Sequence, residues 1–180
     1  MKIMGTDLNI FLNKKILIYG LGKSGLSAFK FLKNKSDVFL YDDLQSNIKA
    51  LNIKKNLISY KNILKLKFDQ IILSPGIDIN KCKLSKFLKK NHNKIYSDLD
   101  VFYAFYKNDC ITITGTNGKS TTCQLLYEVL LNQKFDVKLV GNIGNPILSV
   151  KNVKKKTIFV IEASSYQLNI VNFRSKYAAI

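Results

Sequence analysis

Residues Gly115-Thr116-Asn117-Gly118-Lys119-Ser120-Thr121 stand between an apolar run, Cys110 to Thr114, and a helical pattern. A strand, a glycine loop and a helix in that order make a phosphate cradle. Gly115 and Gly118 let the backbone adopt φ values closed to other residues and bring its N–H groups close to an oxyanion. The helix starting near Lys119 aims its free N–H groups and positive dipole end at the same point. Lys119 can reach β- and γ-phosphate oxygens, and the Ser120 hydroxyl can enter the shell of a phosphate-bound Mg²⁺. The segment from Gly115 to Thr121 is therefore expected to bind ATP. It departs from the general pattern in one place, because Ile113 stands where an early glycine is usual.

The residues that must work with this loop come from further along the chain. The β-branched and aromatic run Thr157 to Ile161 reads as a strand, and Glu162 follows at its C-terminal end, where open α/β sheets place their ligands. A carboxylate there suits Mg²⁺. A Gly141-Asn142-Ile143-Gly144 turn lies between the two. Asn142 has two readings, a ligand contact or an asparagine tolerated in a left-handed turn position.

The N-terminal half carries a second phosphate signal. Lys15 to Tyr19 is a short strand, Gly20-x-Gly22-x-x-Gly25 turns into a helix bearing Leu26, Phe29 and Leu32, and Val38 to Tyr41 is the next strand, ending at Asp42-Asp43. This βαβ unit satisfies the dinucleotide fingerprint, so an NAD-dependent dehydrogenase is a rival reading. The same geometry holds any pyrophosphate, and a dehydrogenase gives no reason for the loop at Gly115. Asp42 either binds ligand or caps its strand.

Further strands are expected at Gln70–Leu73, ending in a Ser74-Pro75-Gly76 turn whose glycine permits a positive φ, and at Val137 to Val140. Helices are expected around Leu84, Phe87 and Leu88, from Ser97-Asp98 through Phe105, and over Leu125, Leu126, Val129 and Leu130. With Lys107-Asn108-Asp109 as linker, residues 1–107 form one domain and 108–180 the start of another. The last residues, Lys176 to Ile180, read as a buried strand, so the chain is expected to be the N-terminal part of a longer protein.

Taken together, the chain resembles the Mur ligase family. The loop Gly115-Thr116-Asn117-Gly118-Lys119-Ser120 matches the family's ATP loop and accounts for the absent early glycine. Glu162-x-Ser164-Ser165-Tyr166-Gln167-Leu168 is similar to the family member that adds D-glutamate. Three segments agree as well: Gly20 to Ser27, Leu73-Ser74-Pro75-Gly76-Ile77, and Gly141 to Pro146. The resemblance implies a Rossmann-like N-terminal domain that holds UDP-N-acetylmuramoyl-L-alanine, followed by a truncated P-loop ATPase-type domain with a parallel sheet. It places Lys23 and Ser24 near the diphosphate, Asp42 near the uracil, and Ser74, Gly76, Asn142 and Ser164 at the substrate. Lys119 and Glu162 become the catalytic residues, with Ser120 and Glu162 holding Mg²⁺. The implied reaction phosphorylates the substrate carboxylate from ATP and lets D-glutamate attack the acyl phosphate, in peptidoglycan precursor synthesis. The family's metal-site histidine and carbamylated lysine lie beyond the equivalent of Ile180, as does its C-terminal domain, so the chain alone is expected to lack ligase activity. Other Mur-type ligases and a non-catalytic nucleotide-sugar-binding module are the alternatives.

Composition narrows the classes. The net charge of +17 rests on 29 basic residues, of which Arg174 is the one arginine, and they are scattered among many Asn, Ile, Phe and Tyr. A nucleic-acid surface would cluster arginine with aromatics, so nucleic acid is not expected as a partner. Cys82, Cys110 and Cys123 show no metal-type spacing and read as structural thiols, and His92 reads as a surface residue. No apolar run is long enough to span a membrane and Met1 to Asp7 lacks signal-peptide character, which leads to the expectation of a cytoplasmic protein, monomeric at full length.

Overall fold

The computed structural model describes residues 9–44, 54–168 and 175–180; the sequence readings on Met1 to Asp7 and on Arg174 lie outside them. The chain forms an α/β fold with two four-stranded sheets, both wholly parallel.

The first sheet has the order β2-β1-β3-β4, with β1 Lys15–Tyr19, β2 Asp37–Tyr41, β3 Gln70–Leu73 and β4 Ile95–Tyr96. Ile16, Leu17, Ile18 and Tyr19 are all fully buried, the continuous apolar run expected of a central parallel strand covered on both faces. Helix α1, Lys23–Leu32, packs Ala28, Phe29 and Leu32 against one face. Helices α2, Tyr60–Lys65, and α3, Ser85–Lys90, contribute Ile63 and Leu88 to the core on the other. A Cβ on Gly25 would lie 1.9 Å from the Gly20 carbonyl oxygen, so only glycine lets α1 start this close to the end of β1.

Helix α4, Asp98–Phe105, is started by a capping box: the Ser97 hydroxyl accepts from the Leu99 and Asp100 amides, and Asp100 accepts from the Ser97 amide at 2.7 Å. It carries Phe102 onto Phe159 of the second sheet, ring to ring at 4.8 Å. Ile147 and Leu148, in a short 3₁₀ turn, join Ala28, Phe29 and Phe102 in the same apolar cluster. Each large side chain buried there contributes about 2 kcal/mol, so the two sheets share a core and fix each other's loops.

The second sheet has the order β6-β7-β5-β8, with β5 Cys110–Ile113, β6 Val137–Gly141, β7 Ile158–Glu162 and β8 Tyr177–Ala179. Helix α5, Lys119–Asn132, follows β5, and a single turn, α6 Ser165–Leu168, follows β7. The linker side chain Asn108 donates to the Lys154 carbonyl at 2.8 Å and the Thr157 carbonyl at 3.0 Å, which ties it into the second sheet.

Two expectations, on the last strand and on Gly76, need correction. The strand at Tyr177 exists but is exposed at all three residues, because it pairs with β5 at an edge and no helix among the described residues covers it. Helix α5 forms over the four apolar residues read from sequence; Leu126 and Leu130 pack inward, whereas Leu125 and Val129 are more than half exposed. Gly76 does not use a positive φ; Gly20 does, at 96°, packed against Ser74.

Candidate functional site

Strand β5 delivers the chain to the loop at Gly115, which turns through φ values of 131° at Gly115 and 76° at Gly118 before α5 begins at Lys119. The lysine folds back over its own loop, its Nζ donating to the Gly115 carbonyl at 2.7 Å and the Thr116 carbonyl at 3.1 Å. Thr116, Asn117, Gly118, Ser120 and Thr121 are exposed, leaving the amides of the loop and first helical turn open to an anion.

Strand β7 runs beside β5 with Glu162 opposite Ile113, which puts the carboxylate next to the start of α5. The Ser120 hydroxyl donates to Glu162 Oε2 at 2.8 Å, and Glu162 is buried. The two residues expected to hold Mg²⁺ are thus in contact. Among the described residues no group of three or more His, Cys, Asp or Glu gathers. A hydroxyl and a carboxylate are nonetheless the hard oxygen donors Mg²⁺ takes, and this ion usually keeps waters and phosphate oxygens in the rest of its shell.

A separate cavity of about 480 Å³ opens at the C-terminal ends of the first sheet's strands, lined by Lys23, Ser24, Asp42, Ser74, Gly76 and Asn142 among others. Six residues named from sequence, from four separate loops and helix starts, therefore share one cavity; Ser164 is not in its wall. Asp42 is buried, with Oδ2 accepting from the Leu21 amide at 2.6 Å and Oδ1 from the Leu44 amide at 2.8 Å, so the carboxylate also pins the turn after β1. The Ser74 hydroxyl donates to the Gly20 carbonyl at 2.8 Å, closing the same turn from the β3 side. At the mouth of α1 the N-cap is Gly22, which offers no side chain to the first-turn amides.

The far wall of the cavity belongs to the second sheet. Gly141 sits at φ 110°, and a Cβ there would meet the Glu162 carbonyl oxygen at 2.2 Å. The Asn142 amide donates to that same carbonyl at 3.0 Å. Asn142 is absent from the non-glycine residues with positive φ, so a left-handed turn does not explain it. One turn thus lines the cavity and is bonded to the residue that meets Ser120.

The structure draws in two residues, Asp98 and Gln167, to which sequence reading gave no site role. Asp98, the first residue of α4, is buried, and its Oδ1 accepts from the Leu99 amide at 3.1 Å and from Gln167 Nε2 at 3.3 Å. Its carboxyl also lies beside the Ser24 side chain. Burial pushes its pKa up, and the hydrogen bonds from Ser24, Gln167 and Leu99 pull the other way. Gln167 Oε1 in turn accepts from the Ser164 amide at 2.9 Å, so a polar chain runs from Asp98 through Gln167 to the segment after Glu162. An Asp behind Ser97 reads in sequence as a helix-start acid, and nothing in the spacing signals its burial. The cysteines are free, and burial pushes Cys110 up to about 12 and Cys123 up to about 11, which keeps both thiols protonated and unreactive. His92 is exposed, as read from sequence.

Comparison with known proteins agrees with this two-part layout. A family model of the MurD-like N-terminal domain of Mur ligases matches residues 14–95, and one of the Mur ligase middle domain matches residues 113–180. The protein named UDP-N-acetylmuramoylalanine--D-glutamate ligase in Rickettsia prowazekii is 38% identical over 181 residues, which cover 96% of this chain and 39% of that protein. Its counterpart in Rickettsia felis is 36% identical over 178 residues, with the same coverage of 96% and 39%. The one in Lachnoclostridium phytofermentans is 36% identical over 182 residues, covering 94% of this chain and 40% of that protein. The chain therefore spans about two fifths of the length of the relatives it matches. Two Mur ligase models lie end to end along most of its residues, one over each sheet, and on that ground this chain belongs to the Mur ligase family.

Proposed function

We propose that this chain provides the nucleotide-sugar pocket and the ATP phosphate site of a ligase that joins D-glutamate to UDP-N-acetylmuramoyl-L-alanine. In that reaction the substrate carboxylate attacks the γ-phosphorus and ADP departs with the bonding electrons; the amine of D-glutamate then attacks the acyl carbon and phosphate leaves. Such chemistry depends on positioning and on neutralising charge spread over the phosphoryl oxygens. The first turn of α1, with Lys23 and Ser24, faces the diphosphate. Asn142 orients the muramoyl part, and Asp42 lies at the uracil end. Lys119 swings from its loop carbonyls to the phosphates, while the loop amides hold them in line. Ser120 and Glu162 are the residues that would hold Mg²⁺, which supplies charge neutralisation at the phosphate oxygens. Residues 1–107 would act as the substrate domain and 108–180 as the ATP-binding part, working in the cytoplasm.

What supports this reading above all is the turn at Gly141-Asn142, which lines the cavity and bonds the backbone of Glu162. A ligand in the cavity is thereby brought toward the phosphate loop, an arrangement a dehydrogenase has no use for. The printed names of the relatives point to D-glutamate as the amine. Titration of the chain with UDP-N-acetylmuramoyl-L-alanine, and separately with NADH, tests the reading. The nucleotide sugar is expected to bind, with affinity falling about three- to tenfold in Asn142→Ala, the worth of one hydrogen bond. Enhanced NADH fluorescence with no nucleotide-sugar binding would overturn it in favour of the dehydrogenase.

A further inference from the structure

The cavity draws its walls from both sheets: Lys23, Ser24 and Asp42 stand on the first, and Gly141, Asn142 and Pro146 on the second. Its width is therefore set by how the two sheets sit against each other. Phe102 meets Phe159 across the join, and Ile147 and Leu148 share one apolar cluster with Ala28 and Phe29. Apolar contact of this kind attracts without direction.

Gln167 adds a directional bond. Its Oε1 accepts from the Ser164 amide at 2.9 Å and the Ser164 hydroxyl at 3.2 Å, while its own amide donates to Ser164 Oγ at 3.2 Å. These bonds form a capping box, which fixes the turn between Glu162 and α6. Such a box uses only the oxygen of the glutamine side chain. The amide nitrogen is left over, and it reaches α4, donating to Oδ1 of the buried Asp98 at 3.3 Å. Oδ1 also accepts from the Leu99 amide at 3.1 Å, which holds the carboxyl at its helix start. On the other side, the Glu162 carbonyl accepts from the Asn142 amide at 3.0 Å. Asp98, Gln167, Ser164, Glu162 and Asn142 thus link a helix packed on the first sheet to the far wall of the cavity.

We propose that Gln167 is a positioning residue for nucleotide-sugar binding: its hydrogen bond to Asp98 holds the wall that carries Asn142 at the distance from the first sheet where one ligand touches both. This rests on the nucleotide-sugar reading of the cavity. Gln167 is not in the cavity wall and is itself buried, so it acts through the turn it caps.

Three ligands separate this role from a merely structural one. On that reading UDP engages the first sheet alone, a non-hydrolysable ATP analogue with Mg²⁺ engages the second alone, and UDP-N-acetylmuramoyl-L-alanine needs both walls. Asp98→Ala deletes the acceptor and leaves the capping box whole. Calorimetric titration is expected to show Asp98→Ala binding UDP-N-acetylmuramoyl-L-alanine about three- to tenfold more weakly, the worth of one hydrogen bond, with UDP and the ATP analogue bound as before. Asp98→Asn keeps an oxygen for Gln167 and should retain the unaltered affinity. Gln167→Leu should show the same loss confined to the same ligand, and it carries the test if Asp98→Ala does not fold. In a Gln167→Leu background, Asp98→Ala should bring no further loss, since the effect travels through one bond. Unchanged nucleotide-sugar affinity, a loss shared by all three ligands, or a further loss in the double variant would overturn the proposal while leaving the pocket assignment standing. Failure of the unaltered chain to bind UDP-N-acetylmuramoyl-L-alanine would overturn both.

Discussion

The chain opens two helices with the same three residues, Gly22-Lys23-Ser24 at α1 and Gly118-Lys119-Ser120 at α5, and backs each serine with a buried acid, Asp98 and Glu162. The two sites differ in what surrounds those elements. At α5 the cap is left-handed, with Gly118 at φ 76°, the lysine is folded over a loop of exposed residues, and the acid lies at the end of a strand where a metal-bound phosphate can approach. At α1 the cap is extended, with Gly22 at φ −72°, the helix is pressed onto its strand through Gly25, and the acid is enclosed among uncharged donors. On the function proposed above, the same tripeptide would serve as a metal-assisted phosphate cradle in one place and a diphosphate wall in the other. The difference is set by the acid's surroundings, which lie far away in sequence.

Loss of the lysine should separate the two sites most sharply. Lys119→Ala is expected to weaken ATP binding by about ten- to a hundredfold, the worth of charge-assisted hydrogen bonds to phosphate. Nucleotide-sugar affinity should stay unchanged, and calorimetry with each ligand in turn checks both. Comparable losses for both ligands would mean the sites are not distinct. Gly25→Ala attacks the other helix start: a methyl 1.9 Å from the Gly20 carbonyl must push α1 outward. A melting temperature lower by about 5 °C is expected in calorimetric scans, the cost of a strained core. An unchanged melting temperature would show that the close approach of α1 to β1 is not required.

A smaller effect sharpens the contrast between the acids. Burial raises Asp98 above its unfolded value, so the stability it contributes is present below the unfolded pKa and is lost as pH rises through the folded one. Asp98→Asn escapes that loss. Its melting temperature should match the unaltered chain in acid and exceed it by a few degrees at most near neutrality. A variant that is less stable at neutral pH would mean the carboxylate is better solvated than its enclosure implies.

Much of this was legible in the chain itself, and for local reasons. The loop at Gly115, the helix start at Ser97 and the strands β1, β3 and β5 each depend on residues within a few positions of one another. Asp98, by contrast, becomes a site residue only when α4 packs between α1 and α6, a contact over 69 positions to Gln167. Helix α2 went unread because its apolar residues are mixed in fate, Ile63 buried while Tyr60 and Leu64 face solvent. Tyr177-Ala178-Ala179 is apolar enough to be taken for a buried strand, but exposure depends on its neighbours in space, and it lies at a sheet edge. The residues of the cavity could be named individually, yet their convergence required the shared core around Phe102, Ile147 and Phe159 that holds the two sheets together.

The central claim is that one polypeptide holds a nucleotide sugar and ATP at two adjoining phosphate sites built on two sheets. Titration of UDP-N-acetylmuramoyl-L-alanine into the chain already saturated with Mg²⁺ and a non-hydrolysable ATP analogue tests it directly. The account predicts that the nucleotide sugar still binds, one per chain, without displacing the ATP analogue. Mutual displacement of the two ligands would contradict it.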